Sequence, residues 1–255
     1  MYLSSERLAL ANHALRETFQ QCSIVWQAIP HWDTGDPGQV NVPNGILATP
    51  GLLPVQQLNE AFELTLAEMI APTPDALLTG VMTATKTLAG KVDAQIIPAL
   101  YTGAATNPST SLTAQGLQDS LIDARAAVED NGYRAPSCLV TNTVGLKNLS
   151  QLTTSGYSIL QQLLTAANIN SLYRSQPINA SDTKLRLVFL GRRRRIAQGA
   201  APEASSGEEP VDLAVALPPS LEVDGEIGSG KIQLAVRIRF AIRVTDATGL
   251  VAIKH

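Results

Sequence analysis

The 255-residue sequence predicts an α+β fold. Apolar residues recur at three- and four-residue steps over 5–22 and 73–98, as on one face of a helix. Residues 231–244 instead carry an apolar residue at every second position, which is typical of a strand. Short helical and strand patterns follow one another between 138 and 190, and no internal repeat is visible.

The first elements are a helix and an extended loop. Leu8, Leu15 and Phe19 share one face of the first helix, which covers about 5–22 after a serine N-cap. From 30 to 54 the sequence is dense in Gly, Pro, Asn and Asp, which favour turns. We interpret it as an extended loop, with a short strand at 39–42 and a strand at 53–66 leading back out.

The longest helix is expected to begin at Thr73-Pro74, with Thr73 as N-cap and Pro74 in the first turn. It should run for about 25 residues, roughly 35–40 Å, and stop at Pro98. A second helix around Leu117 and Leu121 should end at Gly132. The shorter elements expected after it are a strand at 138–141, helices at 142–151 and 157–167, strands at 169–173 and 185–190, and a surface loop at 197–210.

The strand at 231–244 presents one wholly apolar face and one face carrying Arg237, Arg239 and Arg243. At this length it would extend roughly 45 Å, which is unusual for a compact monomer. We expect the second face to expose a row of cations.

Composition limits the classes of function. Hydrophobic residues make up 45% of the chain and charged residues only 16%, against roughly 25% in an ordinary soluble domain. Much of the surface must therefore be uncharged, which favours burial against other chains. A net charge of −3 argues against a protein whose whole surface binds nucleic acid or anionic membrane.

Cysteine and histidine usage excludes several kinds of site. Two cysteines, Cys22 and Cys138, form neither a disulfide framework nor a four-thiolate zinc site. The N-terminus lacks the pattern of a secretory signal, and no run reaches the ~18 apolar residues of a membrane span. A soluble cytosolic protein with no membrane partner is the simplest interpretation.

Three motifs suggest a chemical function, and each also has an ordinary structural interpretation. Gly225 to Lys231 has the spacing of a phosphate-binding loop, but Ile232 replaces the magnesium-binding Ser or Thr and a strand follows instead of a helix. A glycine-rich turn is therefore favoured, and a nucleotide-binding enzyme is the rival hypothesis. His31, Trp32 and Asp33 lie together, but with three histidines in the chain we favour turn structure and packing over catalysis or metal binding.

The third motif is the run Arg192 to Arg195, which could contact nucleic acid phosphates, form ion pairs between subunits, or lie in a solvated loop. No hydrolase, zinc-protease or dinucleotide motif occurs, so we assign no catalytic, cofactor-binding or metal residue. The candidate subunit contacts are Trp32, Asp33, Arg192, Arg193, Arg194, Arg195, Arg237 and Arg239.

The order of elements resembles the Hong Kong 97-type major capsid protein family of tailed phages, a fold shared with bacterial encapsulins. The segment that resembles the family's spine helix is TPDALLTGVMTATKTLAGKVDAQIIPALYTG. A helix, a glycine and a strand that resemble the opening of its axial domain are in LQDSLIDARAAVEDNGYRAPSCLVTN. The segment similar to its long returning strands is VDLAVALPPSLEVDGEIGSGKIQLAVRIRFAIRVTDATGLVAI.

This resemblance implies a domain order and a function. The implied divisions are an N-terminal helical arm (1–30), an extended loop with peripheral-domain strands (31–72), a spine helix (73–100), an axial domain (101–230) and returning peripheral-domain strands (231–255). The implied function is a non-enzymatic capsid protein whose pentamers and hexamers close into an icosahedral shell around packaged DNA, in the virion. The alternative is an encapsulin-like compartment in the cytoplasm, enclosing a cargo protein.

Overall fold

The computed structural model describes residues 3–46, 48–152, 156–176, 178, 184–194 and 209–255. The helices are α1 (Ser5–Cys22), α2 (Ile24–Ala28), α3 (Leu66–Ile70), α4 (Asp75–Gly103), α5 (Ala114–Asp130), α6 (Thr143–Leu149) and α7 (Leu160–Ala166). The strands are β1 (His31–Asp33), β2 (Asn41–Pro43), β3 (Leu52–Pro54), β4 (Gln56–Thr65), β5 (Tyr133–Thr141), β6 (Ile169–Arg174), β7 (Arg186–Arg194), β8 (Val211–Gly228), β9 (Lys231–Val244) and β10 (Leu250–Lys254). An α+β fold is confirmed.

The first sheet has the strand order β1-β8-β9-β4. Strands β8 and β9 form a long antiparallel hairpin, β4 pairs antiparallel with β9, and β1 pairs parallel with β8. The apolar face of β9 is buried, as its alternation predicts, and helices α1 and α4 pack against this sheet. The β9 residues at the centre of this core are Ile232, Leu234, Val236, Ile238 and Phe240.

Helix α4 is longer than the sequence predicts. It spans 29 residues and contains Pro98 in its interior, so the expectation that Pro98 stops the helix is wrong. An interior proline removes one backbone donor and crowds the carbonyl four residues earlier, at a cost of about 3 kcal/mol. Ile96, Ile97 and Leu100 are buried on either side of it, and this packing carries the helix through to Gly103. The N-cap residue is Pro74 rather than the expected Thr73, and no side chain caps the helix.

The second sheet has the order β10-β7-β5-β6 and its own apolar core with α5 and α7. Leu117, Leu121 and Val128 of α5 are buried in this core, and the helix ends before Gly132, whose φ of +88° suits glycine. Asn142 caps α6 by accepting a hydrogen bond from the Gly145 amide. Strand β5 begins earlier and α7 begins later than the sequence predicts.

The expected division at residue 230 does not coincide with the division between the sheets. Residue 230 lies in the turn of the β8–β9 hairpin, so 211–228 shares a sheet with 231–244. Strand β10 pairs instead with β7 of the second sheet. A two-residue turn requires its strands to be neighbours, whereas the short 3-10 helix Ala247–Gly249 lets the chain leave the first sheet.

Candidate subunit-contact site

Residues 34–55, here called the crossing segment, pass over the first sheet from one edge to the other. The segment leaves β1 at one edge and enters β4 at the opposite edge, so it must cross β8 and β9. Within it β2 and β3 pair antiparallel to form a ribbon, with Val42 opposite Leu53. The predicted extended loop with a short strand is thus present, although the strand begins at Asn41 rather than 39.

The underside of the ribbon packs on the outer face of the sheet. Val42 is 1% exposed and contacts a small cluster with Ala214 of β8 and Ala241 of β9. Alanine at these two positions leaves room for the ribbon backbone to approach the sheet. Trp32, Leu53 and Val55 complete this second, smaller apolar layer.

Two arginines of β9 hold the crossing segment by its backbone. Arg239 donates from Nη2 to the carbonyl of Gln39 at 3.0 Å and from Nη1 to the carbonyl of Pro37. Arg243 donates from Nη1 to the carbonyl of Pro43 at 3.3 Å. The two guanidinium groups therefore attach the crossing segment to β9 through three of its backbone carbonyls.

A buried ion pair lies beneath the point where the segment begins. Arg243 donates from Nε to Asp212 Oδ1 at 2.6 Å and from Nη2 to Asp212 Oδ2 at 2.5 Å. Trp32 Nε1 donates to the same Oδ1 at 3.1 Å, and the Arg243 guanidinium lies 4.8 Å from the Trp32 ring centroid. This bidentate geometry with a third donor compensates for the desolvation of both charges.

The exposed cationic row expected on β9 is not present. Arg243 is buried, Arg239 binds the crossing segment, and Arg237 is ion-paired with Glu222 and Asp224 of β8. The strand alternation was predicted correctly, but it carries no information about what covers the second face.

The His31–Trp32–Asp33 segment has a structural role in the described fold. Asp33 Oδ1 accepts a hydrogen bond from the Gly35 amide at 2.8 Å, as expected for turn structure. The His31 ring stacks on Trp26 with centroids 3.9 Å apart, and its burial lowers the pKa of His31. Within the described ranges, no three His, Cys, Asp or Glu side chains converge as metal ligands.

The described part of the arginine run lies at the end of β7, in the second sheet. Arg192 is near the end of β7, opposite Arg134 of β5, and lines an open groove with Trp26 and His31. The side chains of Arg193 and Arg194, the whole of Arg195, and residues 197–208 of the predicted loop lie outside the described residues. The structure therefore groups Trp32, Arg237 and Arg239 around the first sheet, and Arg192 with the second.

Asp212 was missed at the sequence level. It stands in the apolar run 211–217, where a lone carboxylate within an apolar strand signals a buried partner. Arg243 lies in a similar apolar strand and is therefore a candidate for that partner. Only the register of β8 on β9, in which Asp212 is opposite Arg243, makes the assignment.

The glycine-rich stretch from Gly225 to Lys231 contains a hairpin turn, which is the interpretation that the sequence favours. Gly228 pairs with Lys231, and the two residues between them, Ser229 and Gly230, have φ values of +53° and +68°. This is the backbone of a two-residue hairpin loop. Lys231 Nζ lies 3.0 Å from Glu63 Oε2 on β4.

The described helices are each too short or too polar to cross a membrane. Comparison with known proteins finds no protein-family model and no curated protein that matches the chain. Solved structures do match. A virus-like particle from Pyrococcus furiosus is 14% identical, with a TM-score of 0.73 and 98% of each chain covered.

Two further structures extend this similarity. An encapsulin complex from Synechococcus elongatus PCC 7942 is 10% identical, with a TM-score of 0.60 over 92% of this chain and 88% of that one. The capsid of Myoviridae phage XM1 is 12% identical, with a TM-score of 0.53 over 91% of each chain. Together with the long helix, the crossing segment and the two sheets, these matches show that the chain has the Hong Kong 97-type capsid fold.

Proposed function

We propose that the chain is a non-enzymatic, shell-forming protein: the major capsid protein of a tailed phage or prophage, which self-assembles into an icosahedral shell around the genome. The observation that carries this proposal is the match to a virus-like particle over 98% of both chains. Nearly every element of this chain thus has a counterpart in a protein that forms particles. Copies would form pentamers and hexamers through interfaces that close on themselves.

The outer side of the crossing segment supports assembly. Residues 34–55 contain one charged residue, Asp36, and Val40 and Leu52 are 65% and 69% exposed. An apolar, nearly uncharged surface of this kind gains free energy when a second copy covers it. Asp33, Trp32, Arg237 and the run 192–195 are proposed as further subunit contacts.

A domain assignment follows from the same proposal. The first sheet with α1 and α4 would form the peripheral domain, and the second sheet with α5 and α7 the axial domain. The axial domains of neighbouring copies would meet around the symmetry axes. In this assignment β8 belongs with the peripheral strands, since it pairs along its length with β9.

An encapsulin-like compartment is the second candidate. The match to an encapsulin covers 92% of this chain with a TM-score of 0.60. A shell of this kind would be cytoplasmic and would enclose a cargo protein rather than a genome.

The first experiment is negative-stain electron microscopy of the protein expressed alone. We expect uniform hollow particles, and a field of only small subunits over a range of concentrations would contradict self-assembly. Particles from the native source then separate the two candidates. Nuclease-protected DNA inside them supports the capsid, whereas a co-purifying protein without nucleic acid supports the compartment.

A ribbon-shortening variant tests the proposed contact. Asn44 N donates to Gly51 O at 2.9 Å, so residues 45–50 can be replaced by Asn-Gly without disturbing β2 or β3. This replacement is preferable to deleting the whole stretch 31–50, because that deletion would also remove β1 from the sheet. The shortened variant should keep the wild-type melting temperature and fail to form shells. In a second variant, six Gly and Ser residues replace 45–50 and keep the length of the ribbon. This variant shows whether assembly depends on the length of the ribbon or on its sequence.

A further inference from the structure

We propose that Arg239 is a positioning residue for assembly: it sets the path of the crossing segment and so the direction in which the ribbon meets a second copy of this chain. The inference rests on the proposed shell-forming function. The fold fixes where the crossing segment begins and ends, and we assign the choice of its route between these points to the Arg239 side chain.

The ends of the crossing segment do not determine its path. Crossing from one edge of a four-stranded sheet to the other spans about 15 Å, at roughly 4.8 Å per strand. The segment has 22 residues, which could reach about 70 Å if fully extended. Contacts along its length must therefore select one route among many.

On the incoming leg, residues 36–40, these contacts come from Arg239. Among the described residues, the hydrogen bonds that reach this leg from the sheet are those of Arg239 to the carbonyls of Pro37 and Gln39. The other hydrogen bonds of the leg are local to it or to the ribbon, such as Gly38 N to Asp36 Oδ1 at 2.7 Å. They shape a turn but do not attach it to the sheet.

The chemistry of the contact favours arginine. Its two acceptors are carbonyls two residues apart, and a planar guanidinium can serve both with separate donors. A lysine ammonium carries its donors on a single nitrogen at the end of a flexible stem. Arg239→Lys should therefore hold the leg only in part, and Arg239→Gln should release it.

Arg237, on the same face of the same strand, provides a matched control for the exchange measurement. Its guanidinium pairs with Glu222 and Asp224 of β8, and no hydrogen bond from it to the crossing segment occurs among the described residues. Arg237→Gln therefore removes a cation from β9 without removing a contact to the segment. Arg243 is unsuitable for this comparison, because its buried pair with Asp212 makes it important for folding.

The test combines hydrogen–deuterium exchange with assembly yield for wild type, Arg239→Gln, Arg239→Lys and Arg237→Gln. Arg239→Gln should speed exchange over residues 34–43 about tenfold and leave β8 and β9 unchanged. It should also lower the assembled fraction at least about fivefold, with Arg239→Lys recovering part of both effects. Arg237→Gln should leave exchange in 34–43 at the wild-type rate.

The outcomes separate this inference from the proposed function. Wild-type protein that forms no shells would overturn shell formation, and with it any assembly role for Arg239. Wild-type shells together with Arg239→Gln shells of the same size and yield would overturn the positioning role alone. Equal effects of Arg237→Gln and Arg239→Gln on exchange in 34–43 would also overturn it, since the effect would then follow charge rather than the contact.

Discussion

Ser23 Oγ donates a 2.9 Å hydrogen bond to Asp93 Oδ1, and this bond joins the N-terminal arm to the middle of α4. The amides of Ile24 and Val25 donate to the same carboxylate at 2.9 and 3.0 Å. Asp93, which is only 5% exposed, therefore caps the N-terminus of α2 from another helix. One buried side chain of α4 thus satisfies three donors of the arm and fixes the start of α2 against α4.

Replacing Asp93 by alanine should lower the free energy of unfolding by about 3 kcal/mol, because it leaves buried donors without an acceptor. Urea unfolding followed by circular dichroism measures this change. Asp123→Asn is the matched control on the exposed surface of α5 and should change stability by less than about 0.5 kcal/mol. A similar loss in both variants would contradict the capping role.

The stability that depends on Asp93 should also vary with pH. Burial raises the pKa of Asp93 in the fold, and its three hydrogen bonds only partly oppose this. The folded protein therefore binds the proton more readily than the unfolded chain. The resulting stabilisation is fully present below the unfolded pKa and is lost as pH rises through the folded pKa.

The measurement is the difference in unfolding free energy between wild type and Asp93→Asn, which cannot titrate at this position. The unfolding free energy of wild type should rise relative to that of the variant as pH falls from about 7 toward 4. A constant difference would show that Asp93 has the same pKa in the folded and unfolded states, and a loss of wild-type stability relative to the variant on acidification would show that folding lowers this pKa.

The Arg243–Asp212 pair should show strong coupling in a double-mutant cycle. Arg243→Met or Asp212→Leu alone should cost about 3–5 kcal/mol, because each leaves a buried charge unpaired. The double variant should cost clearly less than the sum. The pair Arg237–Glu222, whose side chains are 23% and 42% exposed, is the control and should couple by no more than about 1 kcal/mol.

The two thiols should differ in reactivity in the isolated subunit. Cys138 is fully buried, and desolvation raises its pKa to about 11, whereas Cys22 is exposed. Titration with Ellman's reagent near pH 8 should detect one thiol per folded chain and two after unfolding in guanidinium. Cys22→Ser should reduce the folded count to zero; a remaining reactive thiol would mean that the second sheet opens readily.

The protein should not bind nucleotide through Gly225 to Lys231. This stretch is a hairpin turn, and Lys231 lies beside Glu63 rather than over a ring of free amides. Calorimetric titration with Mg-ATP should give no binding heat. Heat that disappears in Lys231→Ala would restore the nucleotide-binding hypothesis.

Local pattern predicted several elements correctly. Helix α1 and strand β9 have the expected bounds, because their apolar periodicity is uninterrupted and each lies against one core. Where a local rule competed with packing, packing prevailed: Pro98 is inside α4 because its neighbours are buried. The candidate site was predictable only in outline, as a turn-rich loop with arginines elsewhere in the chain.

The sequence by itself determined the fold class, the extended loop and the turn at Ser229-Gly230, since periodicity and turn preferences act over a few residues. The tertiary structure alone decided that Arg239 would bind the carbonyls of residues about 200 positions away and that β10 would join the second sheet. Such pairings depend on which strands become neighbours. Desolvation then makes each buried charge or backbone carbonyl take the partner that the register places opposite it.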